Sequence, residues 1–317
     1  MFQQSKFNLL LTILATSFAL ILSACGGGGS GGGSTPGGIA PSTPLPIDAT
    51  NSKTIASEVI DTAIVTNDAA LSVLGAKTDS GSGLTIDAIN KRVSEFIINR
   101  TPSDLVTGVV IACSQGGSIS APDNGFNGSY VFNNCAEQGF TTNGTLTVTG
   151  GGDFINNFSG TFTYSNFTYT NSLGTDVIDG SITVSWSFSG NVTSGTTSSS
   201  LLSFVSGSDF YDLINLNNTY TLNDNNQTQT DDLSFTLNSS LLNGQLTFNT
   251  TAAIQTDYFS LYPFAGQIVC TGAGNSKVRV TVNPGGTGMP SDTITVDTDA
   301  DGDNIYELSQ IFMWSEL

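Results

Sequence analysis

Near the end of the chain, Asp297-Thr298-Asp299-Ala300-Asp301-Gly302-Asp303 alternates carboxylates with small residues, and Tyr306-Glu307 follows. Oxygen ligands at loop positions 1, 3 and 5 with glycine at 6 form the spacing with which a chain wraps a hard cation, calcium above all. The candidate ligands are Asp297, Asp299, Asp301, Asp303 and Glu307. Counted from Asp297, the twelfth position is Leu308 and the acid lies one residue earlier, with no flanking helical pattern. As a straight strand the run would project its carboxylates from one face about 7 Å apart, where they would repel. Two readings stay open: a loop closed on calcium, and a solvated hairpin tip. An ion here would be structural, stapling the last strands with Trp314 in the core.

Other reactive groups are sparse. The chain has no histidine, which removes the usual general base for a serine or cysteine nucleophile and argues against acyl transfer. With few basic groups, phosphoryl transfer is disfavoured too. A carboxylate pair for glycoside cleavage could come from Asp209 and Asp212, or from Asp231 and Asp232. Sequence spacing does not give the separation such a pair needs, and the expectation is that the protein is not an enzyme.

Cys113 and Cys135 have their midpoint at residue 124, inside Pro122-Asp123-Asn124-Gly125. Those are turn residues. A reversal there would place the cysteines opposite each other on neighbouring strands, with Cα atoms roughly 4.5–5.5 Å apart, a separation that a disulfide accepts. Cys270 sits in the apolar run Ile268-Val269-Cys270 and reads as a buried free thiol.

The elements that must position these groups change character along the chain. In residues 51–100 apolar residues recur at helical steps. Ile55, Val59, Ile60, Ala63 and Ile64 mark a first helix, and Ile86, Ile89, Val93, Phe96 and Ile97 a second. Lys91, Arg92 and Arg100 make the second helix locally basic. That suits either docking of an acidic partner or, as favoured here, packing on a sheet beside Asp-rich loops. From about residue 101 to 317 the period becomes 2, as in Tyr130-Val131-Phe132, Phe162-Thr163-Tyr164 and the stretch Ile182 to Phe188. Gly128, Gly144, Gly160, Gly180, Gly244 and Gly266 each stand two residues before an apolar residue, at steps of 16, 16, 20, 64 and 22. Read as strand starts behind tight turns, they predict a short-stranded hairpin every 16 to 22 residues. The fold class expected is mainly β: an antiparallel meander of hairpins forming a large curled sheet or open barrel, preceded by two α-helices. A membrane-spanning barrel is disfavoured because the strands look short and many alternating positions are Ser, Thr or Asn.

The N-terminal end sets the address. Residues 1–24 read as a signal peptide, with Lys6, an apolar core from Leu9 to Leu22, and small residues before Cys25. Leu22-Ser23-Ala24-Cys25 resembles the lipobox of bacterial lipoproteins. That resemblance implies that the Cys25 thiol takes a diacylglycerol and that the chain is cut before it. The two or three acyl chains would hold the protein to a membrane where one chain is marginal. The bland alternative is an ordinary secretory signal with a chance cysteine. Gly26 in place of the aspartate that retains such proteins at the inner membrane points to the outer membrane. Residues 25–50, rich in Gly, Ser and Pro, form a tether. The whole chain, from lipobox through Thr/Asn-rich meander to the acidic loop, resembles β-rich outer-membrane lipoproteins of Gram-negative bacteria.

The chain carries 8 Lys and Arg against 26 Asp and Glu, a net charge of −18. No Lys or Arg lies between Arg100 and Lys277, so no basic footprint for nucleic acid exists there. The function expected is a lipid-anchored cell-envelope protein, a non-enzymatic binding, adhesin-like or structural β-domain. Its partners would be the membrane through Cys25 and another envelope protein, carbohydrate or lipid. The alternative is an open-barrel carrier of lipid or a small apolar ligand.

Overall fold

Alternation of apolar with Thr and Ser, sustained far longer than a short hairpin allows, builds the sheet. The computed structural model describes residues 43–58, 60, 110–122, 127–137, 139–152, 157–172, 174–206, 209–257, 262–283 and 292–317. Its strands are β1 (Val110–Ala112), β2 (Ser118–Ser120), β3 (Gly128–Glu137), β4 (Phe140–Gly152), β5 (Asn157–Asn171), β6 (Gly174–Ser189), β7 (Val192–Ser206), β8 (Asp209–Asn223), β9 (Thr228–Ser239), β10 (Gly244–Asp257), β11 (Ala265–Thr271), β12 (Lys277–Val282), β13 (Thr293–Asp299) and β14 (Leu308–Met313). All pair antiparallel with their sequence neighbours in one fourteen-stranded sheet. β1 and β14 are its edges and do not pair, so the meander is not closed into a barrel.

The strand length corrects the sequence reading. β4 to β10 run 12 to 16 residues each, so the repeating step is one long strand and its turn, not a hairpin of two. Gly128 and Gly244 do open strands, but Gly144, Gly160 and Gly180 lie inside β4, β5 and β6. Shortness therefore no longer counts against a membrane barrel. The open edges and a polar exposed face still do, because a barrel in lipid turns its apolar face outward.

The interior Asx-Gly pairs are bulge devices. Asn134, Asn166 and Asn215 adopt φ of 45°, 48° and 52°, each at a break in register on β3, β5 and β8. The strand facing the first two supplies the complement. Asn143 Oδ1 accepts from the Asn134 N–H at 2.7 Å, and Asp179 Oδ1 from the Asn166 N–H at 3.0 Å. Each acceptor is followed by a glycine with positive φ, Gly144 at 107° and Gly180 at 116°. A side chain at Gly144 would strike the Asn166 carbonyl and one at Gly180 the Leu201 carbonyl, both at 2.3 Å. Such bulges bend a strand and increase its twist.

One face of the sheet is buried. Tyr130, Phe132, Leu146, Phe162, Val184 and Leu237 are all at most 5% exposed. Aromatic pairs fill it: Phe158 on Trp186 with ring centroids 4.6 Å apart, Phe132 edge-on to Phe167 at 4.9 Å, and Phe235 stacked on Phe248 at 4.5 Å. Trp314 is buried as expected and stacks on Tyr262 at 5.0 Å.

Of the two expected helices, the first is present over residues 52–58 and 60; the second, Ile86 to Ile97, lies outside the described residues, as do Cys25 and the signal. Asp48 caps the helix, its Oδ1 accepting the Thr50 and Asn51 N–H groups. Hydrogen bonds from Thr50 hold the Asp48 carboxyl below its usual range. Ile55 and Ala56 are fully buried, Lys53 Nζ lies 5.2 Å over the Phe312 ring, and Ser57 Oγ donates to the Leu317 carbonyl. The helix is thus packed on the β14 side of the sheet. Among the described residues no helix is long and apolar enough to cross a membrane.

Candidate functional site

Strands β12, β13 and β14 hold the acidic loop. Asp297 is part of the β13 ladder, opposite Arg279 and Ser309. Its Oδ2 accepts from Arg279 Nε at 3.0 Å and Nη2 at 2.8 Å. The guanidinium in turn lies 4.0 Å over the Tyr306 ring, so a stack of Asp297, Arg279 and Tyr306 draws the far side of the loop back onto the sheet. Burial pushes the Tyr306 phenol up, with Arg279 working against it and Asp299 and Asp297 adding to it. Asp297 is therefore committed to an ion pair and stands apart from the other four expected ligands.

Those four converge. Asp299, Asp301, Asp303 and Glu307 each offer a carboxylate oxygen, and the four atoms lie within 4.8 Å of one another. Oxygens at 2.3–2.6 Å from a calcium ion are at most about 5 Å apart, so the spread fits one shell. Backbone donors set the acids. Asp299, which is fully buried, accepts from the Gly302 and Asn304 N–H groups at 2.7 and 2.9 Å. Asp301 and Asp303 accept from the N–H two residues on, and Glu307 Oε2 accepts from the Ala300 N–H at 3.2 Å. Lys277 Nζ donates to Asn304 Oδ1.

Counted as a calcium loop from the first of the four converging acids, positions 1, 3 and 5 would be Asp299, Asp301 and Asp303, two residues later than a count from Asp297, and Glu307 would be position 9. Position 6, where a calcium loop turns sharply on glycine, is Asn304 with φ 72°. Asparagine tolerates that left-handed conformation better than other side chains.

The remaining site residues separate. Cys113 and Cys135 form the expected disulfide with Cα atoms 5.4 Å apart, but by a different route. Cys113 lies in the β1–β2 turn, not on a strand neighbouring β3. That turn docks on β3 through Gln115 N–H to the Ala136 carbonyl and Ala136 N–H to the Gly116 carbonyl. Cys270 is the buried free thiol expected, and burial pushes its titration up. Asp231 and Asp232 are successive strand residues, one buried and one exposed, and so face opposite sides of the sheet. Asp209 and Asp212 bind different partners, Ser240 and Ser203. Neither carboxylate pair flanks a common space.

The exposed face of the sheet is ordered across several strands. Thr149, Thr161, Thr183, Ser198, Asn217 and Ser234 are mutually opposed in an unbroken row across β4 to β9. A second row beside it holds Ser159, Ser185, Thr196, Thr219 and Asp232. Hydroxyl pairs join strands within both, Thr161 to Thr183 and Ser185 to Thr196 at 2.8 Å. The alternating Thr and Ser were visible in the sequence; the rows needed the register.

Comparison with protein-family models, curated proteins and solved structures gives no match.

Proposed function

We propose that this is a lipid-anchored protein of the bacterial cell envelope, held to the outer membrane by acyl chains on Cys25, that presents its hydroxyl-rich sheet face to carbohydrate or to another envelope protein. The observation carrying this reading is the pair of opposed Thr, Ser and Asn rows across β4 to β9. Strands about 4.8 Å apart with same-face residues about 7 Å apart along each make a regular lattice of donors and acceptors. Such a lattice suits a hydrated, hydroxylated partner and offers little to an apolar one. The role is binding or structural rather than enzymatic. Calcium at Asp299, Asp301, Asp303 and Glu307 staples β13 to β14 and neutralises part of the acidic loop.

The carrier alternative places a lipid against the inner face, which the molecule's own aromatic side chains occupy. Growth with labelled palmitate, followed by fractionation, tests the anchor: the label enters the wild-type protein and its outer-membrane fraction, and Cys25→Ser loses both. Binding of the purified protein to envelope polysaccharide, and its loss in Thr161→Arg with Thr183→Arg, tests the face. Stoichiometric lipid in a solvent extract, with no polysaccharide or protein partner, would replace this reading with the carrier.

A further inference from the structure

The two edges of the sheet are unequal. β1 is three residues long, and the turn that follows it is pinned by the Cys113–Cys135 disulfide. A very short edge strand is one of the ways in which folded proteins blunt an edge; lysine, proline and bulges are others. β14, Leu308 to Met313, is six residues long and has none of these: it contains no Lys or Pro, and its register with β13 is unbroken. On its outer face Ile311 and Met313 are 68% and 58% exposed, opposite Thr295 and Thr293.

The ladder fixes which backbone groups of β14 remain to be used. Trp314 N–H donates to the Asp292 carbonyl, one step beyond the last pair of the two strands. Antiparallel pairs alternate between bonded and non-bonded. Phe312, Gln310 and Leu308 therefore bond β13, while Met313, Ile311 and Ser309 turn their N–H and C=O groups outward. The other side of β13 agrees: Asn283 N–H donates to the Thr293 carbonyl, which commits Thr293, Thr295 and Asp297 to β12. Glu316 Oε2 accepts the Met313 N–H at 2.7 Å. The outward groups of Ser309 and Ile311 meet no hydrogen-bond partner among the described residues.

Charge selects what can pair there. Asp301, Asp303 and Glu307 are exposed just before β14, and Asp292 and Glu316 are exposed beyond its other end. Against them stand Lys53, over the Phe312 ring, and Lys277, bonded to Asn304. We propose that β14 takes an extended segment of a partner protein as a fifteenth strand, with apolar side chains facing Ile311 and Met313 and Lys or Arg at both ends. Backbone bonds to Ser309 and Ile311 would hold it and the flanking acids would select it. A second copy fits less well. Two-fold pairing about Ile311 sets Glu307 level with Ser315 of the second copy, beside its Glu316, acid against acid. The β1 edge of another copy is only three residues long.

The test uses the full chain in nonionic detergent with a chelator present, so that the loop acids keep their charge. The probe is a fluorescein-labelled peptide, Lys-Thr-Val-Thr-Val-Thr-Lys, followed by anisotropy. It binds saturably and slows hydrogen exchange at the Ser309 and Ile311 amides. The same peptide with Glu at both ends binds about tenfold more weakly, and one N-methylated at both Val residues, whose N–H groups would face β14, does not bind. Ile311→Pro removes an outward N–H, leaves the β13 ladder intact and abolishes binding. No saturable binding of the Lys-ended peptide overturns the proposal, as does equal binding of the N-methylated one. A dimer in sedimentation that Ile311→Lys dissociates also overturns it, giving the edge to a second copy. Should Ile311→Pro fail to fold, unchanged peptide binding in Ile311→Lys overturns it equally.

Discussion

The backbone N–H of Asn166, in the middle of β5, donates to the Asp179 carboxylate in the middle of β6 at 3.0 Å. The bond spans a break in register between Tyr164 and Phe167 and ties a left-handed asparagine to an Asx-Gly pair across the strand boundary. The same arrangement joins Asn134 to Asn143 one strand pair earlier. A side-chain oxygen thus takes up an amide that the bulge removes from the ladder.

Gly180→Ala will destabilise the sheet. Gly180 has φ 116°, and a Cβ there would meet the Leu201 carbonyl at 2.3 Å. A left-handed alanine and its clash together cost about 1–3 kcal/mol. Denaturant unfolding monitored by far-ultraviolet circular dichroism should show the midpoint fall. An unchanged midpoint would mean the bulge carries no strain.

Calcium will stabilise the protein through four carboxylates and not the fifth. Loops of this type bind at about 10⁻⁴–10⁻³ M, so millimolar calcium should raise the melting temperature by about 3–6 °C over chelator. Asp301→Asn should remove most of that rise. Asp297→Asn should keep the rise while lowering stability by about 1–2 kcal/mol, because it strips Arg279 of its charged partner. Equal calcium effects in the two variants would sink the assignment.

Reduction of the disulfide will cost about 3 kcal/mol, the value for closing a loop of about twenty residues; Cys113 and Cys135 are 22 residues apart. Cys113→Ala with Cys135→Ala should show the same loss in urea. Because the bridge pins the β1–β2 turn to β3, hydrogen exchange should quicken first at Gln115 and Ala136, whose N–H groups bond across that contact.

Alkaline conditions will destabilise the fold by a predictable slope. Burial raises the Cys270 thiol above its ordinary 9.0 and the Tyr220 phenol above 10.0. Groups raised on folding contribute their full stability below the unfolded value and lose it as pH rises toward the folded one. Between about pH 9 and 10 the unfolded thiol ionises while the folded one stays protonated, a loss approaching 1.4 kcal/mol per pH unit per group. Above about pH 10, Tyr220 adds to it. Cys270→Ala should flatten the slope of unfolding free energy against pH in the lower window; an unaltered slope would show that the thiol is not buried as described.

Residue pattern alone was enough for a mainly β, antiparallel meander, since a period of 2 assigns each side chain to one of two faces whatever the neighbouring strand does. The buried Cys270 and Trp314, the disulfide and the clustering of four of the five acids were legible for the same local reason: type and spacing restrict what each can do. Local pattern failed where the backbone departs from regular geometry. Asn143-Gly144 and Asp179-Gly180 satisfy the chemistry of a tight turn and of a bulge equally well, and only the partner strand, with its left-handed Asn134 or Asn166, decides between them. That decision doubled the strand length. In the acidic run, Asp297 and Asp299 are identical in sequence terms; Arg279, eighteen residues before Asp297 and directly across the ladder, claims one and leaves the other to begin the loop. Likewise the hydroxyl rows are scattered over six strands. Such sets exist only once register is fixed, because the free energy that fixes it comes from burying the whole apolar face at once and not from any residue in the set.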